Sequence, residues 1–397
     1  MIKSHLFSDF TPTLKADWLK RIEKDLKGRP MSELAWNLSP SVPSNDTFSI
    51  DPFAHADDFE TLPESLALKP TNNWDIGEDI DVSLSDFKTA NRQALAALMG
   101  GANAINFNVD EYSTKNELLI LIQDIELEYI AIYFTEKTGK QNPLPFLKCF
   151  REIAVNLGKN TDILRGGVSY SPMVTTNEET NELRAVIEWA SNNLSQFKVL
   201  TINALPFFDG SENVIKELTD TLIAGNAFLR QLIDNGVDSI AINKYMQFKV
   251  NIGMSYFVEI AKLRAFKLLW GNVLDAYRRN EILEQLVLMP TLNAYVSPHT
   301  QVEDVHTNKI RATTQAMSAV LGGVDMLTIA PSDAVQEGES TDFNRRIARN
   351  VQHLLQMESY LDKVVDPAAG SFYIEKLTNQ IAEAVWKQFK EQVNEGL

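Results

Sequence analysis

Cysteine and histidine are scarce in this sequence. Its 397 residues include a single cysteine, Cys149, and five histidines. One cysteine excludes an intrachain disulfide framework, which favours a reducing compartment. With so few histidines, there are few places where a metal ion could be bound or a histidine base could act.

Long apolar runs and an excess of basic residues are also missing. No stretch reaches the roughly 18 apolar residues of a transmembrane helix, and Met1–Phe10 lacks the apolar run of a signal peptide. We therefore expect a cytoplasmic chain. The formal net charge is −16, whereas nucleic-acid binders usually carry a basic face. Neither a nucleic acid nor an anionic membrane surface is expected as a partner.

The first 70 residues differ in composition from the remainder. Trp18–Lys27 has the periodicity of a short amphipathic helix. The segment up to residue 70 combines Pro, Ser, Asp and Asn with the isolated aromatics Phe48, Phe53 and Phe59. This pattern predicts an N-terminal arm, residues 1–70, that lies along this chain's main domain or along a partner. A partly disordered leader is the alternative.

From residue 71 onward, short apolar runs alternate with amphipathic stretches, which predicts parallel βαβ units. Eight such units favour a (β/α)8 TIM barrel over residues 71–397. A doubly wound sheet is the alternative, but its first turn would need a GxGxxG loop that is absent. The predicted strands are Asn103–Val109, Tyr129–Thr135, Thr161–Arg165, Lys198–Asn203, Ser239–Asn243, Val287–Asn293, Asp325–Ile329 and Lys363–Asp366. The predicted helices of the barrel are Pro145–Leu157, Asn181–Leu194, Asn213–Asp234, Tyr256–Arg279, Asn308–Leu321, Asp342–Tyr360 and Glu375–Lys390.

Candidate catalytic groups are few at the predicted carboxyl ends of the strands, where barrel enzymes carry their working residues. His299 and His306 could share a face, but no cysteine or close carboxylate pair joins them as a metal site. Ser297, His299 and Asp304 are a weak hydrolase triad because neighbours in sequence seldom form one. Asp362 and Asp366, at the last predicted strand, suit a turn better than acid–base work.

Three glycine pairs are candidate phosphate-binding turns. They are Gly100-Gly101, Gly166-Gly167 and Gly322-Gly323. Each pair stands near a predicted helix end or strand end, where the backbone often needs a left-handed residue. We therefore predict turn geometry at these pairs in preference to phosphate binding.

Three longer stretches resemble the methylmalonyl-CoA mutase family, and the opening helix is similar as well. The resemblance extends over nearly the whole chain. The stretches are Ile252–Ala265 continuing to Trp270, then Asn308–Gly323, and then Asp342–Thr378. The third contains the two most specific motifs, Arg346–Asn350 and Asp366–Ser371.

The resemblance implies a barrel that encloses an acyl-CoA, while a separate C-terminal domain carries adenosylcobalamin. Catalytic members isomerise methylmalonyl-CoA and succinyl-CoA through radicals, which requires a hydrogen-bond donor for the thioester and a cation for the free carboxylate. The Asp-x-His-x-x-Gly cobalt-ligand loop of the family does not occur in these residues. We therefore expect this chain to bind neither the cofactor nor a metal, with adenosylcobalamin belonging to the assembled enzyme.

The donors that the family supplies are replaced here. The family histidine and its tyrosine neighbour fall on Pro206 and Leu205, and proline can neither donate nor take up a proton through its side chain. The expected tyrosine is missing from Asp75–Asp79, the substrate arginine from Ser169–Pro172, and the sixth-strand histidine and glutamine from Leu292–Ala294.

These four replacements predict a non-catalytic small subunit with no catalytic residues of its own, whose partner is a catalytic large subunit. Two alternatives stay open. One is an active acyl-CoA mutase that uses shifted residues, and the other is an unrelated small-molecule barrel enzyme that uses His299 and Asp304. We expect Arg346, Arg349, Asn350 and Asp366 to tie helices to strands. The face of the helix that carries Phe257 and Arg264 is expected to be core or subunit contact.

Overall fold

The computed structural model describes residues 11–395, except residues 12, 39–47, 62–68, 70, 83–85, 172–176, 209–212, 278–288 and 337–339. The strands are β1 (Trp36–Leu38), β2 (Phe48–Ile50), β3 (Asp75–Asp81), β4 (Ala104–Val109), β5 (Ala131–Glu136), β6 (Arg165–Val168), β7 (Phe197–Lys198), β8 (Leu200–Asn203), β9 (Met246–Asn251), β10 (Leu292–Val296) and β11 (Met326–Ile329). The helices are α1 (Lys15–Leu26), α2 (Phe87–Met99), α3 (Lys115–Leu121), α4 (Leu144–Asn156), α5 (Asn177–Asn193), α6 (Val214–Asp234), α7 (Ser239–Tyr245), α8 (Tyr256–Tyr277), α9 (Val305–Leu321), α10 (Asp342–Met357) and α11 (Phe372–Glu395). None of these helices is long and apolar enough to cross a membrane.

The strands β3 to β11 form one parallel sheet in the order β7-β6-β5-β4-β3-β11-β10-β9-β8. The two ends of this order, β7 and β8, are separated along the chain only by Val199, whose N–H donates to the Tyr245 carbonyl at 2.8 Å. They therefore act as one interrupted strand that pairs with β6 on one side and β9 on the other. The sheet closes into a barrel of eight strand positions, which confirms the predicted TIM-barrel class.

Two of the predicted strands are wrong. Ser239–Asn243 lies in α7, because Asp238 caps a helix there by accepting the Ala241 N–H, and the strand β9 begins only at Met246. Lys363–Asp366 forms turns in which Asp366 has a φ of 43°. Asp362 and Asp366 therefore do not end a strand.

The first barrel strand, β3, was not predicted. Four of its seven residues, Asp75, Glu78, Asp79 and Asp81, are acidic, so the sequence lacks the apolar run expected of a barrel strand. Because β3 was missed and the strand predicted at Lys363–Asp366 does not exist, the predicted total of eight strands is nevertheless correct. The other six predicted strands overlap the observed ones. Thr161–Arg165 does so only at Arg165, where β6 starts.

The glycine pairs divide into two kinds. Gly101 and Gly323 follow the ends of α2 and α9 with φ of 91° and 78°, the left-handed geometry expected of helix ends. Gly166 and Gly167 instead lie inside β6. A Cβ at Gly166 would stand 1.8 Å from the Ile132 carbonyl oxygen, so close strand approach requires glycine there.

The described part of the arm lies against its own barrel. The Trp18 ring stacks on Phe53 at 3.8 Å between centroids. Asp51 accepts from Lys376 of α11 at 2.7 Å, and the Phe59 ring meets Phe372 at 6.1 Å. These contacts place residues 48–59 beside the start of α11.

A buried ion network joins α8, the Asp366–Ser371 motif and α11. Arg264, whose side chain is 2% exposed, donates to both carboxylate oxygens of Glu375 at 2.8 Å and pairs with Asp366. Glu375 also accepts the Gly370 N–H at 2.9 Å. Two carboxylates therefore pair with one buried guanidinium, so the resemblance motif has a structural role here.

Replacing Arg264 with Met is expected to lower the free energy of unfolding by about 3–5 kcal/mol, because Asp366 and Glu375 would be left buried without their cation. Urea denaturation measures the change. The matched control is Arg184→Met, which removes an exposed pair with Glu188 and should cost less than about 0.5 kcal/mol. Equal losses in the two variants would contradict the assignment.

Lys267 is a second buried cation of α8, and it has no carboxylate within salt-bridge distance in the described part of the chain. Its Nζ donates to the carbonyls of Gly322 and Gly323 at 2.8 and 2.7 Å. Burial, reinforced by the charge of Lys69, lowers its pKa from 10.5 to about 7, although Asp325 and Asp366 act in the opposite direction.

The lowered pKa of Lys267 predicts a pH dependence of stability. Between pH 7 and about pH 10 the unfolded chain binds more protons at this lysine than the folded chain does, so its contribution to the free energy of unfolding rises with pH. The destabilisation that comes from burying this charged lysine is fully present below pH 7. The wild type measured against Lys267→Met should gain about 1.4 kcal/mol per pH unit across this window in denaturation titrations. A difference that stays constant with pH would show that the lysine is not protonated differently in the two states.

Candidate functional site: the barrel axis and its two mouths

At the C-terminal mouth of the barrel, the position of the family histidine lies beyond the end of β8. Pro206 is exposed in a single 3-10 turn, Leu205–Phe207, and Asn203 holds that turn by accepting the Leu205 N–H at 3.2 Å. Carboxyl ends of barrel strands are where catalytic groups normally stand. At this place the chain presents a pyrrolidine ring, which offers neither a donor nor a base.

Behind this turn a buried ionic triad joins α6 to α8. The Lys262 ammonium lies 3.1 Å from Glu217 and 2.7 Å from Glu259, and it donates to the Asn251 carbonyl at 2.8 Å. Burial lowers the pKa of Lys262, but attraction to the two glutamates outweighs it and raises the pKa overall. The lysine is therefore held charged, and its contacts anchor both helices beneath the mouth.

Polar side chains cross the barrel axis at mid-height. Asn293 of β10 lies four strand positions from Tyr133 of β5, on the opposite wall, and is near enough to the Tyr133 phenol to act on its pKa. Asn293 donates to Gln247 of β9 at 2.8 Å, and Gln247 donates to the Thr201 hydroxyl of β8 at 2.9 Å. Burial and the charge of Asp75 raise the pKa of the Tyr133 phenol, so it stays neutral.

A second layer lies nearer the C-terminal mouth. Asp79 of β3 accepts from Asn106 at 3.0 Å and faces the Lys249 ammonium of β9 at 3.8 Å. Lys249 in turn lies over the Tyr295 ring, 5.2 Å from its centroid. Side chains from opposite walls thus meet on the axis at two heights, so the interior is packed at these levels.

The largest cavity found among the described residues opens at the N-terminal mouth and measures about 800 Å³. Arg165 donates to Asp75 across it at 2.8 Å, and Asn103 donates to the same carboxylate at 3.0 Å. Burial raises the pKa of Asp75 despite Arg165, and burial lowers the pKa of Lys198. Tyr133 and Asn293 also line the cavity, so it extends inward as far as the residues that cross the axis.

This N-terminal cavity was missed by sequence reasoning, which examined only the carboxyl ends of strands. Its charged residues are the starts of β3 and β6, together with Lys198, Lys244 and Asp325. A signal existed, since Asp75, Arg165 and Lys198 all stand at or near the beginning of an apolar run. The arrangement provides cations and carboxylates for a polar ligand at this end.

The weaker candidates from the sequence do not form a catalytic set. Asp304 is the N-cap of α9 and accepts the N–H groups of His306 and Thr307 at 3.1 and 3.2 Å. His299 lies in a 3-10 turn, and no hydrogen bond joins it to Ser297 or Asp304 among the described residues. No cluster of three metal-ligating side chains occurs in the described part of the chain.

The four polar residues of the specific motifs separate into two kinds. Arg349 pairs with Glu78 of β3, and Asp366 pairs with Arg264, so both tie elements together as expected. Arg346 and Asn350 are exposed on α10 and do not show the expected tie to a strand.

The closed parallel sheet and its helical ring define an α/β barrel of the TIM class. Within that class, a family model described as methylmalonyl-CoA mutase matches residues 112–396, and the chain belongs to this family. It is 32% identical to the methylmalonyl-CoA mutase small subunit of Porphyromonas gingivalis, over 98% of this chain and 64% of that protein. It is 27% identical to the methylmalonyl-CoA mutase of Cereibacter sphaeroides, over 94% of this chain and 57% of that protein.

The chain thus spans less than two thirds of the length of these two relatives. A separate large subunit from Porphyromonas gingivalis is 31% identical over 52% of this chain and 28% of that protein. Among solved structures, a dihydropteroate synthase from Xanthomonas albilineans covers 74% of this chain and 95% of that one at 13% identity, with a TM-score of 0.40. That similarity is too distant to support a functional argument.

Replacing Gln247 with Leu tests whether the mid-height network is satisfied internally. The change keeps the side-chain volume but leaves the Asn293 amide without its acceptor, so we expect a loss of about 1–3 kcal/mol in the free energy of unfolding. Thermal or urea denaturation reports it. Asn192→Ala, which removes an exposed bond to the Glu188 carbonyl, is the control and should change little. A neutral Gln247→Leu variant would mean that the network contributes nothing to stability.

Proposed function

We propose that this chain is the small, non-catalytic subunit of a methylmalonyl-CoA mutase-type heterodimer. The observation that carries the proposal is the set of polar side chains on the barrel axis, with Asn293 near Tyr133 at mid-height and Asp79 3.8 Å from Lys249 in the second layer. In the family resemblance, the barrel encloses the acyl-CoA. A ligand threaded along this axis would have to break the buried hydrogen bonds that join Asn293, Gln247 and Thr201, which is costly.

The residues at the C-terminal mouth support the same proposal. Acyl-CoA isomerisation needs a donor at the thioester carbonyl, and such donors are worth several kcal/mol in a dry site. Pro206 supplies none, and the stretch Asp75–Asp79, where the family tyrosine is expected, contains no tyrosine. Asp79 of that stretch is a carboxylate held by Asn106 and Lys249.

Adenosylcobalamin belongs, in this proposal, to the large subunit. The Asp-x-His-x-x-Gly loop that supplies the cobalt ligand in the family does not occur in these residues, and the family's substrate histidine falls on Pro206, so this barrel offers neither group. We therefore derive no chemical step through the cofactor in this barrel.

The proposed role is then to stabilise the catalytic subunit in the cytoplasm. The arm, residues 1–70, is a candidate contact. Its described part leaves Leu34 and Trp36 exposed while residues 48–59 are fastened to this chain. Exposed tryptophan is common at subunit interfaces.

One observation favours a second function, an acyl-CoA mutase barrel that still holds its ligand. The N-terminal cavity of about 800 Å³ is lined by the cations Arg165, Lys198 and Lys244 and by the carboxylates Asp75, Asp325 and Asp362, and the cations are candidate contacts for an anionic ligand. The two functions differ in whether this chain alone binds acyl-CoA, since only the second requires it.

The test mixes this chain with the catalytic large subunit and follows the complex by sedimentation. We expect a stable heterodimer. In parallel, calorimetry with methylmalonyl-CoA should give binding heat for the large subunit and none for this chain alone, because the filled axis excludes the acyl group.

Failure to associate would overturn the subunit role. Clear acyl-CoA binding by the isolated chain would favour the active-mutase function. In that case Arg165→Ala, which removes a cation of the N-terminal cavity, should abolish the binding if the cavity is the site.

A further inference from the structure

The outer face of α10 is apolar although it faces solvent. Phe343, Leu354 and Met357 are 52%, 48% and 70% exposed. Their spacing places them on one side of the helix together with Arg346 and Asn350. We call these five residues the α10 face. Three large apolar side chains exposed on one side of a single helix mark an interaction site more often than singly scattered ones do.

The same surface continues onto α2. The His353 ring nitrogen lies 3.1 Å from the Gly100 carbonyl, which brings the end of α2 against α10. Met99, the last residue of α2, is 91% exposed beside this contact. Between the two helices lies a groove of about 340 Å³, lined by Glu78, Gln93, Ala96, Ala97, Asp342, Phe343, Arg345, Arg346 and Arg349.

The groove is basic on a strongly acidic chain. Three arginines line it against two carboxylates, whereas the whole chain carries a formal charge of −16. Arg349 is paired with Glu78, and Arg345 is 4.0 Å from the same carboxylate. Arg346 lies over the Phe343 ring at 5.5 Å, and Lys309 approaches that ring at 5.1 Å. Cationic and apolar groups are therefore combined at one place, the composition that interface centres favour.

The charges decide between possible occupants. A second copy docked face to face would bring together two chains that each carry a formal charge of −16, which their mutual repulsion opposes. A partner segment that carries a carboxylate between apolar side chains would instead meet complementary charge and apolar surface.

We propose that the α10 face and its groove are the surface on which the large subunit docks, through such an acidic and apolar segment. This inference rests on the proposed function. It adds the place of contact, which is separate from the arm.

Two variants test it by sedimentation or calorimetry of the heterodimer. Arg346→Glu reverses the charge over the groove, and the double variant Leu354→Asp with Met357→Asp makes the face acidic. All three side chains are exposed, so folding should be kept, which the unfolding midpoint verifies. Each variant is expected to weaken the heterodimer at least about tenfold. Arg346→Glu should also reduce the salt dependence of association.

The matched controls place the same changes on α4 and α5, in another sector of the barrel. They are Val155→Asp with Leu157→Asp, at residues 49% and 52% exposed, and Arg184→Glu. If the wild-type heterodimer forms and the α10 variants weaken it no more than these controls do, the proposed docking surface is wrong and the proposed function stands. If the wild-type chain forms no heterodimer, both proposals are wrong. Loss of a wild-type self-association in the α10 variants would assign the face to a second copy and overturn the proposal.

Discussion

The barrel interior is polar, and a buried polar side chain is stable only when another group satisfies it. That constraint organises this structure. Thr201, Gln247 and Asn293 come from three neighbouring strands and form one hydrogen-bonded series, and Asn293 lies near Tyr133 on the opposite wall. The series holds those three strands in register and places polar side chains on the axis. In the proposed function, the same side chains occupy the space that a threaded ligand would need.

Outside the sheet, buried ion pairs join separate elements of the fold in the same way. Arg264 holds the Asp366–Ser371 turn to α11, and Lys262 holds α6 to α8 beneath the C-terminal mouth. A buried charge that loses its partner is far more costly than one that was never present. These clusters support the scaffold and are separate from the exposed Pro206 at the C-terminal mouth. The Asp366–Ser371 motif therefore has a structural role that does not depend on which residue stands at that mouth.

Helices and the barrel class could be predicted from periodicity, because amphipathic stretches such as Val214–Asp234 have a regular series of apolar residues that become buried. β3 could not, since its acidic residues pair with Arg165, Asn106 and Lys249 from elsewhere in the chain, and such partners are invisible in sequence. α7 was mistaken for a strand because its short apolar run, Ile240–Ile242, has no helical period long enough to detect. At the site, the replacement of the family histidine by Pro206 could be predicted from the sequence. The position of Tyr133 opposite Asn293 could not, because their strands come together only when the barrel closes.

The Arg346–Asn350 motif shows why resemblance alone does not assign a role to each residue. Arg346 and Arg349 are three positions apart on one helix, so their directions differ by roughly 60°. That rotation is enough to turn Arg349 inward to the buried Glu78 of β3, while Arg346 stays at the surface over the Phe343 ring. A charge paired inside the fold maintains the barrel, and a charge left outside is available to another molecule. Within this one motif, Arg349 therefore stabilises the fold, and Arg346 is the residue left at the surface for the proposed contact with a partner.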